Sequence, residues 1–164
     1  MNSKKYGTVL PGTGIEDVIL GMSRSDVKKV TGKPEAIFRD GFPDGSVCET
    51  FEYPSLGLSF NFGSENNYCL DTVRIERPDI QLFGRCIFGL TVQEGLALFE
   101  SHSATPDSDS LNFIDDDGNQ VSSYDFDPLA LAVWFLNDSL NVVQISPFWK
   151  DEDTQIFPWK DRVA

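Results

Sequence analysis

A short motif occurs twice in this chain, and the repetition constrains the fold more than any other feature of the sequence. Residues 18–26 and 86–94 share one pattern: three apolar residues, Gly, an apolar residue, a hydroxyl residue, two spacers and a carboxylate. A hydroxyl followed three positions later by a carboxylate is a capping-box signature for the start of a helix. The two copies therefore predict two units with the same local structure, and their capping pairs are Ser23 with Asp26 and Thr91 with Glu94.

Each motif is followed by a short helical pattern and then by segments in which apolar residues alternate with polar ones. The first helix is expected to end at Gly32 and Pro34, and the second at about Ser101 or His102. Alternation with a period of two is typical of half-buried strands, and an Asp-Gly pair in each copy predicts a hairpin. The predicted strands are 58–62 and 73–75 in the first copy and 131–135 and 143–145 in the second, and two weaker strands precede them in each copy, at 35–39 and 47–53 and at 111–114 and 121–126.

These patterns predict an α+β fold of two tandem units. Each unit would contain one short helix covering one face of a roughly four-stranded antiparallel sheet, and the two sheets could join into one longer sheet. We expect an N-terminal arm over residues 1–14, the first unit over 15–79, the second over 80–148 and an aromatic-acidic tail over 149–164.

The repeat resembles that of β-lactamase inhibitory protein-like domains and of related small outer-membrane assembly lipoproteins. The resemblance rests on the two motifs, on the Gly32-Lys33-Pro34 stop and on the strands that follow. The tandem arrangement of the repeat is also similar to that of bacterial immunity proteins. Residues 53–60, which precede the last hairpin of the first copy, contribute to this similarity. These immunity proteins neutralise toxins of polymorphic and contact-dependent growth-inhibition systems, so the resemblance implies a toxin-binding function.

The chain departs from this family at two points. Ser101-His102-Ser103 stands where a Gly-x-Pro stop would be expected, and the first fourteen residues lack the apolar stretch of a signal peptide. No apolar segment approaches the length of a membrane span.

The chain has three cysteines, which cannot all pair, and we expect them to be reduced, half-buried structural thiols. We therefore expect a cytoplasmic protein without a membrane partner, and the immunity interpretation is favoured over an exported inhibitor or a lipoprotein.

The charge is strongly negative and unevenly distributed. The 164 residues carry 26 acidic and 13 basic side chains, which gives a net charge of -13. Between Arg85 and Lys150 there is no Lys or Arg, while ten carboxylates lie in that segment. Nucleic acids are bound by neutralising phosphates with basic residues, so direct nucleic-acid binding is not expected. A cationic partner is the natural complement, although a solvated acidic face is the simpler interpretation.

The sequence offers little for catalysis. The single histidine, His102, lies near a predicted helix C-terminus, where it would complement the helix dipole. No phosphate-binding glycine pattern occurs. We expect no enzymatic activity and no cofactor, although a site assembled from dispersed residues such as Cys86, His102 and Asp125 is an alternative.

Two acid-rich segments and the C-terminal tail are the candidate binding regions. The acids do not fit a calcium-binding loop, because the first ligand position would be Phe113, so no metal is expected. Solvated turns and partner contacts are the two interpretations of these acids. In the tail, Phe148, Trp149, Phe157 and Trp159 would either pack on the sheet or anchor an interface.

The leading hypothesis is an immunity protein that binds a basic toxin domain, a nuclease, through an acidic surface. An assembly module that binds another protein is the alternative. The predicted partner-binding residues are Asp107, Asp109, Asp115, Asp116, Asp117 and Trp149.

Overall fold

The computed structural model describes residues 7–107 and 110–163. Within these ranges the first half of the chain has one helix and seven strands. Three two-residue strands form a small antiparallel sheet before the helix, and four longer strands follow it. In order, these elements are β1 (Val9–Leu10), β2 (Gly14–Ile15), β3 (Val18–Ile19), α1 (Arg24–Thr31), β4 (Ala36–Gly41), β5 (Val47–Tyr53), β6 (Leu58–Gly63) and β7 (Leu70–Ile75).

The second half repeats this order with a two-stranded sheet before its helix. A third helix lies near the C-terminus. The elements are β8 (Gln81–Leu82), β9 (Arg85–Cys86), α2 (Val92–Ser101), β10 (Leu111–Ile114), β11 (Gln120–Phe126), β12 (Leu131–Leu136), β13 (Ser139–Ile145) and α3 (Pro158–Val163).

The longer strands of both halves form a single antiparallel sheet of eight strands. Its order is β10-β11-β12-β13-β7-β6-β5-β4, so the last strand of each half lies at the centre. The halves are joined where β13 pairs with β7, with Val143 opposite Ile75 and Ile145 opposite Val73. All four of these side chains are buried, so the junction belongs to the core.

Helices α1 and α2 lie on the same face of this sheet. Near α1, the Thr31 hydroxyl donates a hydrogen bond of 2.9 Å to the Tyr53 hydroxyl on β5. On α2, Gly95 faces the ring of Phe135 on β12, and Phe99 stacks on Phe126 of β11 with ring centroids 4.2 Å apart. One hydrophobic core extends under both helices.

Both predicted capping boxes are confirmed. The Ser23 hydroxyl accepts a hydrogen bond from the backbone N–H of Asp26, and the Asp26 carboxylate accepts one from the backbone N–H of Ser23. Thr91 and Glu94 make the same pair of bonds at the start of α2. The helices therefore begin at the positions that the motif indicates.

Removing either cap should lower stability. We expect Ser23→Ala and Thr91→Ala each to reduce the free energy of unfolding by about 1 kcal/mol, because a backbone N–H at the helix start loses its partner. Urea denaturation measures this change. Ser25→Ala, at an exposed position within α1, is the matched control and should not destabilise the protein. Equal losses in all three variants would contradict the role of the caps.

The prediction of an α+β fold is wrong, because the structure is mostly β. About 42% of it is strand and 20% is helix, with about thirteen strands in three sheets. The helices are short: α1 has eight residues and stops at Gly32, whose φ of 88° is in the left-handed region. The apolar residues before the capping boxes contribute to additional short strands instead of extending the helices.

Candidate functional site

The eight-stranded sheet has a second face, which points away from α1 and α2 and is called here the open face. Opposite residues of an antiparallel pair point to the same side, and side chains alternate along each strand. Phe126 and Phe135 are buried under α2, so their neighbours Asp125 and Trp134 point to the open face. No helix covers this face in the described part of the chain.

In the second half of the sheet, part of the open face is apolar. Most positions of this face on β10, β11 and β12 near the hairpin turn carry large hydrophobic side chains that are exposed or half-buried, while Ser123, between Leu111 and Trp134, is buried. Leu111 and Phe113 on the outermost strand are 58% and 49% exposed. We call this surface the apolar patch; it consists of Leu111, Phe113, Val121, Trp134 and Leu136.

In the first half of the sheet, the same face is largely polar. On β5 and β6 the Thr50 hydroxyl donates to the Asn61 side chain at 3.1 Å, and the Ser59 hydroxyl donates to Glu52 at 2.6 Å. At the junction, the guanidinium of Arg74 lies 5.9 Å from the centroid of the Trp134 ring. The apolar patch therefore ends near the boundary between the two halves.

Acidic residues lie at one end of the apolar patch, in the turn between β10 and β11. The Asp115 carboxylate accepts hydrogen bonds from the backbone N–H groups of Asp117 and Asn119, at 3.0 and 2.8 Å. The bond from Asn119 is the main cause that lowers the pKa of Asp115. Asp115 thus stabilises the turn, while Asp116 and Asp117 are exposed.

A second acidic group lies at the opposite end of β11. The backbone N–H of Asp107 donates to the carbonyl of Asp125 at 2.8 Å. The Asp107 carboxyl also lies close to Asp127, which begins a short 3-10 turn. We call Asp107, Asp125 and Asp127 the corner acids.

Trp149 stands beside the corner acids. A shallow pocket of about 120 Å³ is lined by Asp125, Asp127 and Trp149 together with residues of β12 and β13. Trp149 is 59% exposed, and the acidic residues Asp151 and Glu152 follow it in the next turn of the chain. This end of the patch therefore combines an exposed aromatic side chain with concentrated negative charge.

The neighbouring acids contribute to a raised pKa of Asp107. Loss of solvent around the Asp107 carboxyl is the main cause that raises its pKa above 3.8, and the hydrogen bond and charge of Asp127 raise it further. The pKa of Asp107 is therefore higher in the folded protein than in the unfolded chain. Its contribution to the free energy of unfolding is fully present at pH values below 3.8 and is lost as the pH rises through the folded-state pKa.

We expect the Asp107 carboxyl to titrate above 3.8 in a carbon-detected NMR titration. Asp127→Asn should move that pKa downward, because it removes a neighbouring negative charge. Asp115 is the internal control: it should titrate below 3.8 in both proteins. An Asp107 pKa that is the same in both proteins would refute the coupling.

The predicted partner-binding residues fall into two groups. Asp115, Asp116 and Asp117 lie in the hairpin turn, whereas Asp107 and Trp149 lie at the corner, about 20 Å away at about 3.3 Å per residue of β11. Asp109 lies outside the described residues. The two groups are at opposite ends of the apolar patch.

The C-terminal aromatic residues divide between packing and exposure. Phe148 lies against Gly12, whose φ of 65° and lack of a side chain leave room for the ring. Phe157 and Trp159 pack against Gly21, and the backbone N–H of Trp159 donates to the carbonyl of Leu20. Among these four aromatic residues Trp149 is exposed, while the other three are half-buried.

Two of the residues considered for catalysis, His102 and Asp125, lie on opposite faces of the sheet. His102 ends α2 and stacks on Phe83 with ring centroids 3.9 Å apart, whereas Asp125 is on the open face. Cys86 is exposed and Cys69 is buried, so the expectation that all three thiols are half-buried is met only by Cys48. Within residues 7–107 and 110–163, no cluster of three His, Cys, Asp or Glu side chains could hold a metal ion.

Sequence reasoning missed the apolar patch and two of the corner acids. A signal was present in β12, where Leu131–Leu136 is a continuous apolar run instead of an alternating one. Such a run is typical of a strand that contacts apolar groups on both faces. Asp125 was named only in the catalytic alternative and Asp127 not at all, because only the sheet register brings them beside Asp107 and Trp149.

Two further findings concern the whole chain. None of the helices in the described ranges is long and apolar enough to cross a membrane. Comparison with protein-family models, with curated proteins and with solved structures gave no significant match.

Proposed function

We propose that this protein binds a basic partner protein on the open face of the second half of its sheet. The observation that carries the proposal is an apolar patch with acidic groups at both ends. Protein interfaces commonly have an apolar centre and a polar rim, with aromatic residues enriched at the centre. The apolar patch, the corner acids and the hairpin turn reproduce this arrangement.

The charge distribution supports a cationic partner. Residues 85–164 carry 14 acidic and 4 basic side chains, and the acids at both ends of the patch belong to this segment. Opposite charges accelerate the encounter of two proteins, and salt screens this effect. Burial of Trp134, Trp149 and Phe113 would then slow dissociation, since affinity differences arise mainly in the dissociation rate.

We further propose that the partner is a bacterial toxin domain and that the protein acts by neutralising it. The resemblance of the tandem repeat to immunity proteins supports this step. A nuclease toxin is the best match in charge, because an active site that attracts phosphate is basic. Neutralisation requires only that the acidic surface occupy that site.

The proposal predicts that a neighbouring gene encodes a toxin domain and that this domain associates with the protein in a salt-dependent way. We expect Asp107→Asn, Asp116→Asn, Asp117→Asn and Asp127→Asn together to slow association at least tenfold at about 50 mM salt and to flatten its salt dependence. Stopped-flow or biolayer interferometry measures the rate, and growth of bacteria that express the toxin domain measures protection.

The matched control neutralises four exposed acids away from the patch, Asp17→Asn, Asp40→Asn, Glu65→Gln and Glu100→Gln. This variant should keep most of the association rate. If the quadruple variant binds and protects as well as the unmodified protein, the acidic ends of the patch are not the binding site. A neighbouring toxin domain that does not bind the unmodified chain at all contradicts the toxin proposal.

A further inference from the structure

One margin of the eight-stranded sheet is formed by β10, which pairs only with β11 among the described residues. In an antiparallel pair, alternate residues direct their N–H and C=O groups away from the neighbour. Half of the backbone groups of β10 therefore point outward from the sheet. All four residues of this strand are exposed.

The two edge strands of the sheet differ in how they are protected against pairing with another chain. Within β4, at the other margin, Arg39 and Asp40 are charged, and charged residues in an edge strand oppose pairing with another chain. β10 contains no charged residue. Its side chains Leu111, Phe113 and Ile114 are 58%, 49% and 72% exposed. An unprotected, apolar edge is the geometry that accepts an additional strand.

The charges around β10 indicate what kind of strand fits. Asp107 precedes the strand, and Asp115, Asp116 and Asp117 follow it. A second copy of β10, paired antiparallel, would place the acids of one copy opposite those of the other. That repulsion disfavours a homodimer through this edge. An extended segment with basic residues on both flanks would instead meet opposite charges at both ends.

We infer that β10 accepts an extended segment of the partner protein, which becomes a ninth strand of the sheet. The segment has about four β-forming residues, flanked on each side by Lys or Arg. Its side chains on the open face would adjoin Leu111 and Phe113 and enlarge the apolar patch. This inference rests on the proposed binding function and specifies the main-chain contact through which the partner docks.

Synthetic peptides test the inference. The probe is a blocked peptide of alternating Val and Thr with two Lys residues on each flank. A second peptide has Glu in place of Lys, and a third is N-methylated at its central amides, which removes the donors but keeps the charge. We expect the Lys-flanked peptide to bind at least tenfold more tightly than either of the others in fluorescence anisotropy.

Hydrogen exchange locates the contact. Binding of the Lys-flanked peptide should slow exchange of the outward amides of residues 111–114 and leave those of 36–41 unchanged. Phe113→Lys should weaken peptide binding at least tenfold, because it places a positive charge on the edge. Phe38→Lys is the matched control, since Phe38 lies on the same face of the opposite edge strand and is 56% exposed.

Three results would overturn the inference. They are equal binding of the N-methylated peptide, protection at 36–41 in place of 111–114, and a concentration-dependent dimer that Phe113→Lys abolishes. None of these results bears on the binding of a toxin domain to the open face. Conversely, if the unmodified protein bound the peptide but not the toxin domain, the toxin proposal would be refuted and the strand-accepting edge would remain.

Discussion

Phe99→Ala is expected to lower the free energy of unfolding by about 3–5 kcal/mol. Phe99 is 1% exposed and joins α2 to the sheet. Its ring stacks on Phe126 at 4.2 Å and meets the edge of Phe83 at 5.8 Å. Alanine would leave a cavity between these rings, and the close-packed core can fill it only in part. A loss of this size is a large share of the stability of a domain of this length.

Chemical denaturation monitored by circular dichroism measures the change. Phe113→Ala is the control, because this phenylalanine is half exposed on an edge strand and its removal creates no cavity; the expected change is about 0.5 kcal/mol or less. A similar loss in both variants would mean that α2 does not seal the core through Phe99.

Trp149→Ala is expected to weaken binding of the basic partner about thirtyfold, which corresponds to about 2 kcal/mol. Trp149 is exposed beside the pocket that Asp125 and Asp127 line. A large aromatic side chain at an acidic rim can bury its ring against a partner while the carboxylates contact basic groups. Its removal should leave the free energy of unfolding almost unchanged, because the ring is mostly in solvent.

Trp159→Ala is expected to show the opposite pattern, a loss of stability without a loss of binding. This tryptophan is half-buried against Gly21, and its indole lies near Asp26 at the start of α1. Its removal should lower the free energy of unfolding by roughly 1–3 kcal/mol and leave partner affinity unchanged. Titration calorimetry and urea denaturation of both variants separate the two roles. Trp149 would lose its assignment as an anchor if its variant bound as tightly as the unmodified protein.

Local features of the fold could be predicted from the sequence. Ser23 with Asp26 placed the start of α1, and Thr91 with Glu94 placed the start of α2, because a capping box involves only residues four positions apart or fewer. The alternation of Leu58, Phe60 and Phe62 indicated β6 for the same reason. The predicted fold class was wrong because the two-residue strands around the motifs are too short to show an alternation of apolar and polar residues.

The candidate site was predictable only in part. Charge counting found the acids of 107–117, and composition singled out Trp149. It did not show that the turn acids and the corner acids lie about 20 Å apart along β11. Nor did it show that Asp115 is engaged in holding its own turn.

The sequence by itself determined the helix starts, the long strands and the concentration of negative charge in the second half. Each of these depends on near neighbours in the chain or on counting residues. Only the tertiary structure decided that β13 pairs with β7, that Trp134 and Phe113 share one face and that β10 ends the sheet. These relations depend on strand register and on pairing between residues far apart in the chain, which local patterns do not specify.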